Sequence, residues 1–192
     1  MKPPLLPRVQ AGALIASGVL RAAGEMVEIV AGQHTPLSGL VSALSLAAFA
    51  LGVTGIWHEA RNSLSGRIAT PATIAGALGF VLVALHASLV LGAPPAGEVA
   101  AGLPYIASGL VTFVGVTALA WWILRSPRYP GWIGLVLIAT VANSLLASFL
   151  ALPPIVQPLF DMVMAVSFVQ FGLSMYENAR HNQASQGPDR TP

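Results

Sequence analysis

The chain has 192 residues, of which 55% are hydrophobic and only 8% charged, and its formal net charge is +2. Soluble domains carry about 25% charged residues, so this composition describes a membrane domain, and its small positive charge excludes a nucleic-acid surface. Cysteine is absent, which excludes disulfides, thiolate chemistry and Cys-ligated metals.

In chain order, Met1–Gln10 is short and basic. It does not read as a cleaved signal, because Arg21 and Glu25 interrupt the apolar stretch behind it and no small-x-small cleavage site follows. Six apolar segments then follow: Val9–Ala31, Leu37–Trp57, Pro71–Gly92, Val99–Leu124, Trp132–Leu152 and Ile155–Tyr176. Each approaches or exceeds the ~20 residues that carry a helix across about 30 Å of hydrocarbon. Lipid admits only helices and closed barrels, and runs this long do not suit barrel strands of about ten alternating residues. The turns between them carry His34-Thr-Pro36, Asn62-Ser-Leu-Ser-Gly66, Ala93-Pro-Pro-Ala-Gly97, Ser126-Pro-Arg-Tyr-Pro130 and Pro153-Pro154. The expected fold is an all-α polytopic bundle of six transmembrane helices over residues 1–177. A polar, disordered cytoplasmic tail is expected over residues 178–192.

In that six-span topology Lys2, Arg8, Arg61, Arg67, Arg125, Arg128, Arg180 and Arg190 fall on one side, and the other side has only Glu98. The positive-inside rule then makes both termini cytoplasmic, in a multi-pass protein of the plasma or inner membrane. Trp57, Trp121, Trp122, Trp132 and Tyr176 form an aromatic belt at the same ends. Ile15-Ala-Ser-Gly18 recurs as Ile106-Ala-Ser-Gly109, and Gly24 matches Gly115. This offset would map spans one to three onto four to six as an inverted repeat.

The first span carries Arg21, Glu25 and Glu28 on one face. At about 100° per residue, Glu25 lies about 40° and Glu28 about −20° from Arg21. Gln10, Ser17, Gly18, Gly24 and Gly32 point the same way, with Leu14 the apolar exception. Ile15, Val19, Ala23, Met26 and Val30 form the opposite face. An ionisable group at membrane depth costs a few kcal/mol unless it is paired or faces a cavity, so the polar face is expected to turn inward.

A rise of about 1.5 Å per residue puts Glu25, His86 and Asp161 each about 10 Å below the outer end of its span. Tyr105 and Asn143 fall at similar depth, and span two adds only Ser38, Ser42 and Ser45. One outer-half polar layer is expected. Glu25, Glu28, Asp161 and His86 are its candidate catalytic acid–base groups. Arg21, Tyr105, Asn143 and Ser108 are the candidate substrate-binding groups. Arg21 balances one carboxylate, so another is expected to hold a proton or to pass it to His86. The plainer reading makes Arg21, Glu25 and Glu28 a clamp between helices. His58 and Glu59 read as a solvated helix end, and His34 as a solvated turn.

No cofactor or metal is expected. No helix bears paired histidines or a Glu-x-x-His pair. His58 and His86 lie near opposite faces and cannot share a haem. The only lysine, Lys2, is too far from the spans for a retinal Schiff base. No phosphate loop or nucleophile elbow occurs.

Three functions fit these features. The first is acid-initiated isomerisation or cyclisation of a lipophilic, isoprenoid-like substrate by a cofactor-independent enzyme. In arrangement alone, Glu25 and Asp161 on separate spans resemble the carboxylates of integral-membrane terpene cyclases. The second is solute binding or proton-coupled transport. Size and topology over the whole chain resemble the substrate-binding subunits of energy-coupling-factor vitamin transporters, although the outer loops here are short. The third is a small assembly protein whose stripe docks a partner helix. The expected partners are the lipid bilayer, a lipophilic small molecule, and a second copy or another membrane subunit, with no nucleic acid.

Overall fold

The computed structural model describes residues 5–32, 35–90, 102–147, 150 and 156–184. Among these, all regular structure is helical. The first helix, α1, spans Leu5–Ala31 and stops at Gly32, whose φ of 67° is a left-handed conformation that carries no Cβ penalty in glycine. Thr35 starts α2 (Pro36–Val53) with a reciprocal capping box. Its hydroxyl accepts from the Ser38 amide at 3.1 Å, and the Ser38 hydroxyl accepts from the Thr35 amide at 3.1 Å. A tight turn at Thr54–Ile56 and a short helix Trp57–Ala60 prolong this rod. The remaining helices are α3 (Leu64–Leu85), α4 (Leu103–Arg125), α5 (Gly131–Ala147) and α6 (Val156–Ala184). A wider π-type turn, His86–Val90, extends α3.

Four rods are long and apolar enough to cross a membrane: Pro36–Ala60, Leu64–Leu85, Leu103–Arg125 and Val156–His181. They suggest a membrane protein whose apolar faces meet lipid. The α1 helix has 27 residues but carries Arg21, Glu25 and Glu28, and α5 is apolar but only 17 residues long.

Two boundaries depart most from the sequence reading. The third helix starts at Leu64, not Pro71, because Ser63 caps it by accepting from the Gly66 amide at 3.1 Å. Pro71 therefore lies inside the helix. The last helix runs on to Ala184, so residues 178–184 of the expected disordered tail are helical. His34, Glu98, Ala93–Gly97, Pro153-Pro154 and the adjoining ends of spans three to six lie outside the described residues.

The helices form a circuit. Each packs on its neighbour in the chain, and α6 closes back onto α1. We call the end where α1 starts and α6 finishes the terminal end, and the opposite one the distal end. The apolar core fills the terminal half. Leu14, Val53, Ile56, Leu119, Ile123, Ile133, Leu137 and Phe171 are almost wholly buried there. Phe49 stacks on Phe168 at 4.3 Å between centroids, joining α2 to α6. Leu14, apolar on a polar face, is explained by this core: its face points inward where the interior is still hydrocarbon. Trp57, Trp121 and Trp132 are exposed as a belt requires, whereas Trp122 turns inward to Tyr129, 5.5 Å away.

The repeat suggested by the sequence fails at one of its matches. Gly24 faces Ser42 and Val41 on α2, but Gly115 faces Ala72 and Thr73 on α3, where equivalence would demand α5.

Candidate functional site

The site begins with a close helix crossing. Gly18 on α1 lies against the Ala165 carbonyl and Val169 of α6, and Gly172 on α6 lies against Ala11 and Ile15 of α1. A Cβ at either glycine would collide with backbone, so these two positions let the helices touch. One turn further towards the distal end, side chains re-enter the gap: Arg21 from α1 and Asp161 from α6. Arg21 lies about 24 Å along α1 from Leu5 and about 15 Å from Ala31 at 1.5 Å per residue, so the pair sits just to the distal side of mid-helix.

The face of α1 divides as its periodicity predicts except at two positions: Gly32, expected to turn inward, is exposed, and Ile15, expected outward, is half-buried against Gly172 of α6. Gln10, Ser17, Gly18, Gly24 and Glu25 are buried, and Val19, Ala23, Met26 and Val30 are exposed. Arg21 and Glu28 are half-buried. Arg21 Nη2 donates to Asp161 Oδ1 at 2.5 Å. Arg21 Nε lies 3.6 Å from Glu25 Oε1, beyond hydrogen-bond reach. Asp161 uses its second oxygen as well, accepting from Gln157 Nε2 at 3.0 Å. The Gln157 carbonyl in turn accepts from Asn143 Nδ2 at 2.9 Å. A continuous line of polar groups thus ties α1 to α6 and α6 to α5. Glu25, Asp161 and Asn143 are each at most 6% exposed.

The neighbouring α2 lends hydroxyls. Ser45 Oγ donates to the Ser17 carbonyl at 2.9 Å, with the two hydroxyls 3.3 Å apart. Ser42 faces Gly24. These small groups keep α2 close to the charged face without adding charge.

Four expected members therefore meet: Arg21, Glu25, Asp161 and Asn143. Glu28 lies one turn further along the same face. Three others stand apart. The His86 side chain is exposed on the π-type turn after α3. Tyr105 packs edge-on against Phe80, 5.1 Å between centroids. Ser108 donates to its own helix at Pro104 O, at 2.7 Å, and lies against Gly79. Tyr105 and Ser108 thus belong to the α3–α4 contact. Gln157 is the member that sequence reasoning missed. Its signal was present: it stands four residues before Asp161, the spacing at which helical side chains touch.

A second polar group lies at the terminal end. Glu59 is not simply solvated. Its Oε1 accepts from Arg128 Nη1 at 2.7 Å and its Oε2 from the Tyr129 hydroxyl at 3.3 Å. Burial first, and then the Glu59 carboxylate, push the Tyr129 phenol well above its ordinary value. Asn178 on α6 donates to the Arg128 carbonyl at 3.1 Å, so the extended end of α6 holds this loop.

Among the described residues, no group of three or more His, Asp or Glu side chains is placed to hold a metal ion. The distal cluster sets the carboxyl groups of Glu25 and Asp161 around one guanidinium, with Glu28 one turn further along α1. Comparison with protein-family models, curated proteins and solved structures returns no match.

Proposed function

We propose that this chain is a six-span protein of the plasma or inner membrane, with both termini cytoplasmic, that binds a proton together with a lipophilic or amphiphilic solute at the outer-half cluster. It would work as a binding or proton-coupled transport subunit. The observation that carries this reading is the burial of two carboxylates around one guanidinium: Glu25 and Asp161 are each at most 6% exposed, with Arg21 at 3.6 Å and 2.5 Å. In this proposal Glu25 is the carboxyl that exchanges a proton.

The alternatives are acid-initiated isomerisation or cyclisation of an isoprenoid-like substrate, and a small assembly protein whose charged stripe docks a partner helix.

The test is retention of the lipophile that copurifies with the protein, followed by mass spectrometry across pH. Retention should rise as pH falls, and Glu25→Gln should remove that dependence. Retention indifferent to both pH and Glu25→Gln would contradict the proposal. Conversion of an added isoprenoid would return the enzyme reading.

A further inference from the structure

One concavity among the described residues lies away from the charge cluster. It is a groove of about 1360 Å³, opening at the terminal end and running up the outside of α4. Its mouth is polar, with His58, Asn62, Ser63, Arg125 and Ser126. Its wall is apolar, with Phe113 and Val114 of α4 and Ile138, Val141 and Leu145 of α5. From Arg125 to Phe113 the groove follows α4 for about 18 Å at 1.5 Å per residue. One leaflet of hydrocarbon is about 15 Å thick, half of the full core. The volume exceeds the 300–1,000 Å³ of ordinary small-ligand sites.

We propose that this groove holds one anionic phospholipid, with its phosphate on Arg125 and one acyl chain along α4 and α5. The charge pattern at the mouth selects this occupant. Glu59 is neutralised by Arg128 at 2.7 Å and capped by the Tyr129 hydroxyl, so this carboxylate does not oppose an anion. Arg125 makes no ion pair among the described residues. Its guanidinium lies over the Trp121 ring at 4.3 Å, which fixes its position while leaving its N–H groups to donate. A guanidinium fork matches phosphate geometry, and Ser63 and Ser126 line the same mouth. Trp121 itself sits where amphipathic rings mark the headgroup level. Polar mouth and apolar wall are continuous, as an amphiphile requires. The inference depends on the chain meeting lipid, but neither on which way its termini face nor on proton exchange at Glu25.

The experiment uses the full chain in detergent, with phosphatidylglycerol or phosphatidylcholine of identical acyl chains, and native mass spectrometry to count retained lipids. Wild type should retain one phosphatidylglycerol at least tenfold better than phosphatidylcholine. Arg125→Gln should abolish the preference. Thr117→Trp fills the apolar wall without touching the mouth, and should cut retention of both lipids about tenfold. Equal retention of the two lipids by wild type, an unchanged preference in Arg125→Gln, or retention of neither would overturn the proposal. Glycerol phosphate without acyl chains should not raise the melting temperature. If it did so as well as the lipid, the site would belong to a free phosphate and the lipid assignment would fail.

Discussion

The two halves of the bundle solve the same burial problem by opposite means. The terminal half buries apolar side chains from every helix, with Leu14, Phe49, Ile123 and Phe171 filling one another's gaps. Such contacts are many and individually weak. The distal half instead joins α1, α5 and α6 through a single line of polar groups, Glu25, Arg21, Asp161, Gln157 and Asn143. Charge pairs in a poorly polarisable interior are strong when complete and costly when broken. The apolar half should therefore tolerate conservative change, and the polar half should fail at single positions.

The sharpest way to break this contrast is at Arg21. Arg21→Met leaves Asp161 and Glu25 without their cation, and should destabilise the protein by about 3–5 kcal/mol, as for other broken buried ion pairs. Adding Asp161→Leu should recover part of the loss, since one of the two stranded charges goes too. Unfolding in mixed micelles, followed by helicity, measures both. A conservative change in the apolar half, Leu137→Met, should cost less than about 1.5 kcal/mol in the same assay.

A smaller effect is expected at the crossing beneath the pair. Gly18→Val must displace the Ala165 carbonyl and should cost about 1–3 kcal/mol through overpacking. Because the crossing positions Arg21, a spin-label distance between α1 and α6 should lengthen at the distal end.

Asn143→Ala removes only the last link of the line, and about 1 kcal/mol is expected for one such hydrogen bond. Combined with Gln157→Ala it should cost less than the sum of the two, because the pair acts as a unit.

The smallest effect belongs to the terminal end. The folded chain holds the Tyr129 proton above the ordinary tyrosine value of about 10. The resulting contribution to stability is fully present below that value, and is lost as pH rises above it, where the unfolded chain releases a proton that the folded chain keeps. Tyr129→Phe should flatten the alkaline decline in melting temperature and leave the neutral range nearly unchanged.

Much of this architecture can be read from the residues. The inward turn of α1 follows from the 3.6-residue spacing of Gln10, Ser17, Gly18, Gly24 and Glu25, and the structure buries all five. The depth estimate that put Asp161 and Asn143 near the level of Glu25 agrees with the line of contacts that runs between them through Arg21 and Gln157. Depth is legible because rise per residue is constant. Facing is not, when a helix carries one isolated polar residue. His86 and Tyr105 have the right height but no stripe of polar neighbours to fix their direction, and the π-type turn at His86–Val90 breaks the 100° step altogether. The Arg128–Glu59–Tyr129 group was missed for a related reason: Glu59 and Arg128 are far apart in sequence, and only the packing of the loop beside α2 brings them together.

The central claim is the proposal that Glu25, in the cluster with Arg21 and Asp161, is the carboxyl that exchanges a proton. Infrared difference spectroscopy across a pH step reads this directly, through the carbonyl band of a protonated carboxyl. That band should vanish in Glu25→Gln and persist in Glu28→Gln. A band that survives Glu25→Gln would contradict the assignment.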